Sequence, residues 1–204
     1  MNKKVIIIGA GGHAKVVADI VRKSGDTVVG FLDDDATKQG NDFFGAKILG
    51  STTDYAKYAE ECAFVIGIGN NSVRMRLSNE MVCRWYTAIH PSVHLAEGVQ
   101  IGEGSVVAAD AVINPDATIG RHSIVNTGAV VEHDAKIGDF THLCPHSMVC
   151  GSTCVGNEVW LGAASTLIQC LTVCDNVTLG AGSVTVRNIE EAGTYVGVPS
   201  IRLH

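Results

Sequence analysis

A six-residue repeat runs from Val93 to about Ser183 and restricts what this part of the chain can fold into. An amphipathic helix repeats about every 3.6 residues, and a globular strand rarely exceeds about ten residues. A period of six that never slips is typical of a parallel β-helix, in which each hexad forms one short strand and a turn. The third position of every hexad is aliphatic: Leu95, Ile101, Val107, Ile113, Ile119, Val125, Val131, Ile137, Leu143, Val149, Val155, Leu161, Leu167, Val173 and Leu179.

The repeat also predicts which residues stack. If three hexads make one coil, residues about eighteen apart lie above one another, and the chain makes about five coils without an insertion loop. The end coils of a solenoid need covering. We expect the amino-terminal segment to cover one end, and the polar residues Asn188, Glu190 and Glu191 to cover the other.

The segment before the repeat alternates strand and helix patterns. This alternation predicts a Rossmann-like parallel sheet with crossover helices in residues 1–89, followed by the β-helix and a carboxyl-terminal tail in residues 90–204. The short join over residues 85–92 predicts that the two domains are rigidly placed. The predicted strands are 3–8, 27–32, 46–50 and 63–69, and the predicted helices are 14–25, 53–61 and 72–84.

A glycine-rich turn follows the first strand. Gly9, Gly11 and Ala14 match G-x-G-x-x-G/A, with acidic residues about twenty positions later. Small residues let the backbone approach a phosphate at a helix amino terminus, where free N–H groups bind anions. The segment holds only one mononucleotide-binding half, which favours a nucleotide-sugar over a dinucleotide. A plain tight turn between strand and helix is the alternative.

Two further polar clusters follow predicted strands. Asp33 and Asp34 end the second strand and would accept hydrogen bonds from ribose or sugar hydroxyls, or simply form a solvated turn. Gly69 begins a polar stretch at the carboxyl edge of the sheet, where open α/β sheets bind ligands. A helix cap by Asn71 or Ser72 is an equally good explanation of that stretch.

Charge and composition exclude several classes of function. The formal net charge is −6, so the chain lacks the basic surface that nucleic acid binding requires. The apolar run near the amino end is too short for a secretory signal, and no segment approaches the length of a membrane span. None of the seven cysteines stands in a CxxC motif, which predicts free thiols in a reducing cytoplasm.

Four histidines lie in the middle of the repeat: His122, His133, His142 and His146. No two are eighteen apart, so a metal site would have to form between chains. Histidine is the side chain best suited to exchange a proton near neutral pH. His133 lies between Glu132 and Asp134, either of which would fix its tautomer and raise its basicity. An exposed turn position is the alternative for each of the four.

Several stretches together resemble one family. They are IIIGAGGHAKVV, GFLDDD, IGIGNN-x-x-R, HPS, YVGVPS and the block from Asn126 to His142. The chain resembles the sugar O/N-acyltransferases of the hexapeptide-repeat class, which include bacterial nucleotide-aminosugar N-acetyltransferases and sialic acid O-acetyltransferases. The resemblance implies a left-handed β-helix, a homotrimer with active sites between subunits, a nucleotide-sugar in the amino-terminal domain, acetyl-CoA along the groove, and no metal.

The resemblance also implies roles for individual residues. His133 matches the general base, Asp134 its acidic neighbour and Asn126 an active-site asparagine. His142 matches a residue at the acetyl thioester. The other positions implied are Gly151, Ala163 and Ala181 along the coenzyme, and Gly11, Gly12, His13, Asp33, Asp34 and Gly69 at the nucleotide-sugar.

These expectations combine into direct acetyl transfer from acetyl-CoA to the amine of a nucleotide-linked 4-amino-4,6-dideoxysugar, with a UDP-linked, bacillosamine-type sugar favoured. His133 takes the amine proton, and a backbone N–H or His142 steadies the oxyanion. The alternatives are a GDP-perosamine-type acceptor, O-acetylation of sialic acid, a zinc carbonic anhydrase of the β-helix type, and a non-catalytic nucleotide-sensing module.

Overall fold

A computed structural model describes residues 2–203. The elements of the amino-terminal domain are β1 (Lys4–Ile8), α1 (Gly12–Lys23), β2 (Thr27–Leu32), β3 (Asp42–Phe43), β4 (Ala46–Gly50), a 3₁₀ helix (Thr52–Tyr58), β5 (Ala63–Ile66) and α2 (Asn71–Glu80). The strands form one sheet in the order β3-β4-β2-β1-β5. The pairs β1–β2, β1–β5 and β2–β4 are parallel, and β3 adds an antiparallel edge. This confirms the Rossmann-like arrangement.

Glycine allows close packing at the carboxyl edge of this sheet. A Cβ on Gly67 would lie 2.9 Å from the Cα of Ala14 in α1, so the end of β5 touches the helix directly. Gly9 has a φ of 97°, and a Cβ there would lie 2.7 Å from Ile68. Both positions therefore require glycine, and they bring the turns after β1 and β5 into contact.

Two predicted helices differ from the structure. Residues 53–61 were expected to form an α-helix, but the structure has a 3₁₀ helix at Thr52–Tyr58. The second helix ends at Glu80 rather than near residue 84. The chain leaves this helix because Phe64 donates a backbone hydrogen bond to Arg84 and accepts one from Tyr86, which extends the sheet edge. Long-range backbone pairing therefore overrides the local helical pattern.

The repeat forms three parallel sheets in which every third strand pairs, as the eighteen-residue stacking predicts. Ile124 pairs with His142, and Val130 pairs with Met148, eighteen residues later in each case. The strands are β6 (Ala88–Ile89), β7 (His94–Leu95), β8 (Gln100–Ile101), β9 (Val106–Val107), β10 (Val112–Ile113), β11 (Thr118–Ile119), β12 (Ile124–Val125), β13 (Val130–Val131), β14 (Lys136–Ile137), β15 (His142–Leu143), β16 (Met148–Val149), β17 (Cys154–Val155), β18 (Trp160–Leu161), β19 (Thr166–Leu167), β20 (Thr172–Val173), β21 (Val177–Leu179), β22 (Val184–Thr185), β23 (Gly193–Val196) and β24 (Ile201–Arg202).

The three sheets are named here by their strands. The first sheet contains β6, β9, β12, β15, β18 and β21 and continues into β23 and β24; the second contains β7, β10, β13, β16, β19 and β22; the third contains β8, β11, β14, β17 and β20. The aliphatic third positions from Val107 onward are buried between the three sheets. The first residue of each two-residue strand therefore faces outward.

The carboxyl-terminal end of the β-helix is covered, but the amino-terminal domain packs on the outer face of the first sheet rather than over the first coil, where Leu95 is 42% exposed. The amino-terminal domain covers the first sheet, where Ala88, Val106 and Ile124 pack in one core with α1. At the other end β23 pairs in parallel with β21, and β24 folds back antiparallel on β23. Of the polar residues expected there, Asn188 accepts a hydrogen bond from the backbone of Thr172.

The predicted division between residues 89 and 90 remains a prediction. The strand β6 (Ala88–Ile89), immediately before it, already pairs with β9 of the β-helix. The join is thus part of the first sheet, which fits its predicted rigidity. Across residues 2–203, none of the helices has the length and apolarity needed to cross a membrane.

Candidate active site

The first sheet presents His142 to the carboxyl edge of the amino-terminal sheet. Its Nδ1 lies 3.2 Å from the Gly69 carbonyl oxygen, and its Nε2 lies 3.1 Å from Asn126 Nδ2. Because a carbonyl only accepts and an amide nitrogen only donates, Nδ1 carries the proton and Nε2 accepts. The Asn126 oxygen in turn accepts from the Thr127 backbone, 2.9 Å away. The structure thus brings three of the predicted residues together: Gly69, Asn126 and His142.

Burial keeps His142 neutral. Only 5% of the residue is exposed. Burial, followed by the nearby Arg74 charge, lowers the pKa of His142 to about 3. A neutral imidazole with both nitrogens engaged has no free N–H to offer a substrate. The predicted contact of His142 with the acetyl thioester would therefore require one of these hydrogen bonds to break.

His133 has the opposite environment. Its Nδ1 lies 2.8 Å from Asp134 Oδ2, so the Nδ1 proton is donated to the carboxylate and Nε2 is left as the basic nitrogen. The side chain is 60% exposed. The hydrogen bond to Asp134 raises the pKa of His133, and Glu132 adds only a charge effect. Asp134, rather than Glu132, orients the ring.

Gly151 stacks one coil beyond His133 and gives the ring its space. A Cβ at Gly151 would lie 2.7 Å from His133 Nε2, closer than real Cβ contacts. Gly151 is buried, and its carbonyl accepts from the backbone N–H of Cys170 at the same corner one coil further on. The observed role of Gly151 is to leave room for the imidazole, and its contact with the coenzyme remains a prediction.

The two pairs lie at different corners of the β-helix. Asn126 follows β12 at the corner between the first and second sheets, whereas His133 follows β13 at the corner between the second and third. About five residues of extended chain separate these corners, which corresponds to roughly 15 Å. One chain therefore does not bring His133 to Asn126 and His142.

We expect Asp134→Asn to change the pH dependence of the acetyl transfer for which the sequence predicts His133 as the general base. A base works in its neutral form, and Asp134 raises the pKa of His133 by stabilising its protonated form. Loss of the carboxylate lowers that pKa, so the acidic limb of the kcat/KM profile moves to lower pH. We also expect kcat to fall roughly tenfold, because an amide no longer fixes the tautomer that leaves Nε2 free. Initial rates across pH 5–9 test this, with Glu132→Gln as the matched control.

The glycine turn places free N–H groups beside this site. Gly11 is the N-cap of α1 and makes no side-chain cap hydrogen bond, and Gly12 begins the helix. A Cβ on either glycine would meet nothing within 4 Å. His13 follows, and its ring centroid lies 6.1 Å from that of His142. Its Nε2 is buried without a hydrogen-bond partner, and burial lowers its pKa to about 4.

The predicted acidic residues already bind the chain's own backbone. Asp33 Oδ2 accepts from the backbone N–H of Ala10, at 2.7 Å, and so ties the end of β2 to the glycine turn. Asp34 Oδ1 accepts from both the N–H and the hydroxyl of Thr52, each at 2.8 Å. A carboxylate has about four acceptor positions, so each retains capacity for a ligand.

The asparagines in the polar stretch after β5 have different roles. Asn70, rather than Asn71 or Ser72, caps α2, because its side chain accepts from the Val73 N–H at 3.0 Å. Asn71 Nδ2 instead donates to the carbonyl oxygens of Glu158 and Val159 in the β-helix. The predicted cap positions, Asn71 and Ser72, lie one and two residues after the observed cap. Asn71 instead connects α2 to the β-helix.

Ala163 and Ala181 lie eighteen residues apart at exposed positions on the corner after β18 and β21. The Gly182 amide donates to the Ala163 carbonyl at 2.8 Å, which continues the stack. These small side chains project little from the corner. Asn126 lies at the same corner, nearer the amino-terminal end of the β-helix.

Two residues near the site were not singled out from the sequence. Arg74 is 1% exposed and spans both domains. Trp160 packs edge-on against His142 with 4.4 Å between ring centroids, and it lines a cavity of about 340 Å³ beneath the start of α2. The R of IGIGNN-x-x-R marked Arg74 only as part of a motif, and the outward second position of a hexad was the only signal for Trp160.

Metal ligands do not cluster in this arrangement. Within residues 2–203 no three histidine, cysteine or acidic side chains come together as a metal site would require. His142 and His146 lie in one hexad, but both His142 nitrogens bind other protein groups.

Comparisons with known proteins agree with this architecture. Residues 4–81 match the model of the PglD N-terminal domain. Over 98% of this chain and 97% of the other, the structure resembles that of a variant perosamine N-acetyltransferase from Caulobacter crescentus, in complex with CoA and GDP-perosamine, with 34% identity and a TM-score of 0.93. The chain belongs to the hexapeptide-repeat sugar N-acetyltransferase family. Its β-helix is accordingly left-handed, as the resemblance implied.

Other members of the family have similar sequences and structures. The acetyltransferase domain of PglB from Neisseria gonorrhoeae, in complex with acetyl coenzyme A, has 34% identity and a TM-score of 0.94 over 100% of both chains. UDP-N-acetylbacillosamine N-acetyltransferase from Bacillus subtilis is 34% identical over 112 residues, which are 52% of each chain. An uncharacterized mimivirus protein is 34% identical over 117 residues, 57% of this chain and 23% of its own length. The chain thus spans about half the length of the first of these curated relatives and about a quarter of the second.

Proposed function

We propose that this member of the family is an acetyl-CoA-dependent N-acetyltransferase whose acceptor is the amine of a nucleotide-linked 4-amino-4,6-dideoxysugar. The observation that carries the proposal is the exposed His133, whose Nδ1 is bound by Asp134 and whose Nε2 is free to take a proton. A UDP-linked, bacillosamine-type sugar is the favoured acceptor. The Bacillus subtilis relative acts on that class, and the Caulobacter crescentus structure, with GDP-perosamine bound, makes a GDP-linked sugar the second candidate.

The carboxyl edge of the amino-terminal sheet offers suitable groups for the nucleotide-sugar. The amino end of α1 has no side-chain cap, so its N–H groups are free for a phosphate. Asp33 and Asp34 lie at the same edge and keep acceptor capacity for hydroxyl groups. The Gly69 carbonyl lies 3.2 Å from His142 Nδ1, so this edge faces the β-helix.

The chemistry assigned to His133 is proton removal. As the sugar amine forms its bond to the acetyl carbon, the carbon–sulfur bond breaks and one amine proton passes to His133 Nε2. The imidazolium formed is stabilised by Asp134, 2.8 Å from Nδ1, and it can return the proton to the leaving thiolate. General base catalysis of this kind contributes about 10² to 10⁴ in rate.

Asn126 is a better oxyanion donor than His142. One Nδ2 hydrogen of Asn126 binds His142, and the amide is only partly buried, so its second hydrogen is free to donate. His142 has no free N–H in its observed state. A well-placed donor contributes on the order of 3 kcal/mol to the transition state.

We propose a homotrimer in which the site forms between subunits. Its support is the position of His133 at a different corner from Asn126, together with an apolar outer face on the second sheet that lies between them. From β10 onward the outward residues of that face are Val112, Val130, Met148, Thr166 and Val184, and His94 precedes them in β7. Met148 is 38% exposed in the single chain. Packing against a second copy would cover this face. It would also bring His133 of one copy close to Asn126 of the other.

Thiol release from acetyl-CoA tests the function. We expect CoA release with one of three acceptors, the UDP-, GDP- or dTDP-linked 4-amino-4,6-dideoxysugars, and a rate at least about tenfold above that with the other two. Sialic acid and CMP-sialic acid complete the panel. Release with the sialic acids alone would replace N-acetylation by O-acetylation, and no release with any acceptor, under conditions where acetyl-CoA binds, would contradict the proposal.

The cytoplasm is the proposed location. All seven cysteines are free in the structure, including exposed Cys154 and Cys170, as expected in a reducing compartment.

A further inference from the structure

Arg74 is a buried cation at the junction of the two domains. Its Nε donates to the His122 carbonyl at 2.9 Å, and Nη2 donates to the Phe140 carbonyl at 2.7 Å, both in the β-helix. Nη1 donates to the Gly69 carbonyl at 2.7 Å. The remaining donors bind Ile68 and Asn71. Every partner is a neutral oxygen, although a buried charge is usually paired with an opposite one.

The absence of a carboxylate among these partners makes the burial costly. Burial lowers the pKa of Arg74 to about 9, and the more distant Glu158 opposes that effect. A packing role alone would be served by an apolar residue of similar volume. What the guanidinium adds is a planar set of donors that fixes several carbonyls at once.

The Gly69 carbonyl connects Arg74 to the predicted active site. It accepts from Arg74 at 2.7 Å and from His142 Nδ1 at 3.2 Å, so one oxygen joins the guanidinium to the imidazole. His142 Nε2 must then accept from Asn126, which leaves the second Asn126 hydrogen available. The sequence of contacts is Arg74, Gly69, His142, Asn126.

Charge acts in the same direction as geometry. Arg74 is the charged group that disfavours protonation of His142, and it does the same for His13. The other groups packed on His142 are His13, Trp160, Asn126 and Gly69, and none of them is anionic. Protonated His142 would turn Nε2 into a donor and reverse its hydrogen bond with Asn126.

We propose that Arg74 is a positioning residue for acetyl transfer: by holding the Gly69 carbonyl it fixes the His142 tautomer and thereby the orientation of the Asn126 amide. One side chain thus contributes both to the docking of the amino-terminal domain and to the orientation of the transfer site. The catalytic consequence rests on the proposed function, whereas the tautomer of His142 does not.

The first test is nitrogen-15 NMR of the histidine rings in the intact protein, assigned by comparison with His142→Gln. We expect His142 to be neutral, with the proton on Nδ1, throughout pH 5–8. In Arg74→Gln we expect His142 to titrate at higher pH or to populate the other tautomer. Arg76→Gln, on the exposed face of the same helix, is the matched control and should leave the His142 signals unchanged. An Nε2–H tautomer in the parent protein overturns the proposal whether or not any variant folds.

Kinetics with the acceptor found by thiol release provide the second test. We expect Arg74→Gln to lower kcat by roughly ten- to a hundredfold, with the KM for acetyl-CoA changed much less, because misplacement rather than binding is affected. Arg74→Lys keeps the charge but lacks the planar fork, so it should restore little of the rate. A folded Arg74→Gln with parental kcat and parental His142 signals would also overturn the proposal. If no acceptor is found, the proposed function fails while the NMR result still decides the role of Arg74.

Discussion

Replacing His133 by alanine should lower kcat for acetyl transfer by about 10² or more, because general base catalysis contributes a factor of that order. The fold should not change. The His133 side chain is 60% exposed, and within residues 2–203 its only side-chain hydrogen bond is to the neighbouring Asp134. The melting temperature should therefore remain close to that of the parent. The measurement is the initial rate of CoA release at saturating acetyl-CoA and acceptor.

A control for this change is Gln100→Ala. Gln100 is also an exposed outward side chain on the β-helix, but it lies in β8 of the third sheet, outside the face proposed to contact a second copy. We expect it to keep parental kcat. Near-normal turnover by His133→Ala would remove His133 from the mechanism and direct attention to the other site histidines, His13 and His142.

Mixing two inactive variants should restore activity if the site forms between copies. His133→Ala and Asn126→Ala are each expected to turn over at a few per cent of the parental rate or less. In randomly mixed oligomers each site takes Asn126 from one copy and His133 from its neighbour, so about a quarter of the sites contain both intact residues. Co-refolded mixtures should therefore recover roughly a quarter of the parental kcat.

The opposite arrangement gives a clearly different result. If both residues served one site from the same chain, every site in the mixture would carry one lesion, and activity would stay at the level of the separate variants. Mixtures of parent with His133→Ala should give about half the parental rate in either case, which controls for refolding losses. Mass measurement of the mixed assembly reports the number of copies.

The β-helix was predictable because its information is local and repeated. Each hexad restates the same burial pattern, and the pairing of Ile124 with His142 follows from counting eighteen residues. The link between His133 and Asp134 was also within reach, since the two are adjacent in sequence. Only the choice of Asp134 over Glu132 needed the structure, because corner geometry decides which neighbouring carboxylate meets the ring.

Contacts between the domains were beyond prediction from sequence. Gly69 and His142 are 73 residues apart, and neither periodicity nor composition relates them. Burial of Arg74 also contradicts the expectation that charged residues are exposed. The predicted helix cap missed Asn70 for a similar reason, because Asn71 has a better partner in the β-helix than at its own helix end.

Because the coils stack regularly, the number of coils sets distances along the β-helix. Above β13, the second sheet continues through β16, β19 and β22, three further rungs spaced about 4.8 Å apart. The surface beyond His133 along this sheet is therefore roughly 15 Å long, and the number of eighteen-residue units in the chain sets that length. Adding or removing one unit above β16 would change that reach by one rung and leave the carboxylate, imidazole and amide positions below it unmoved.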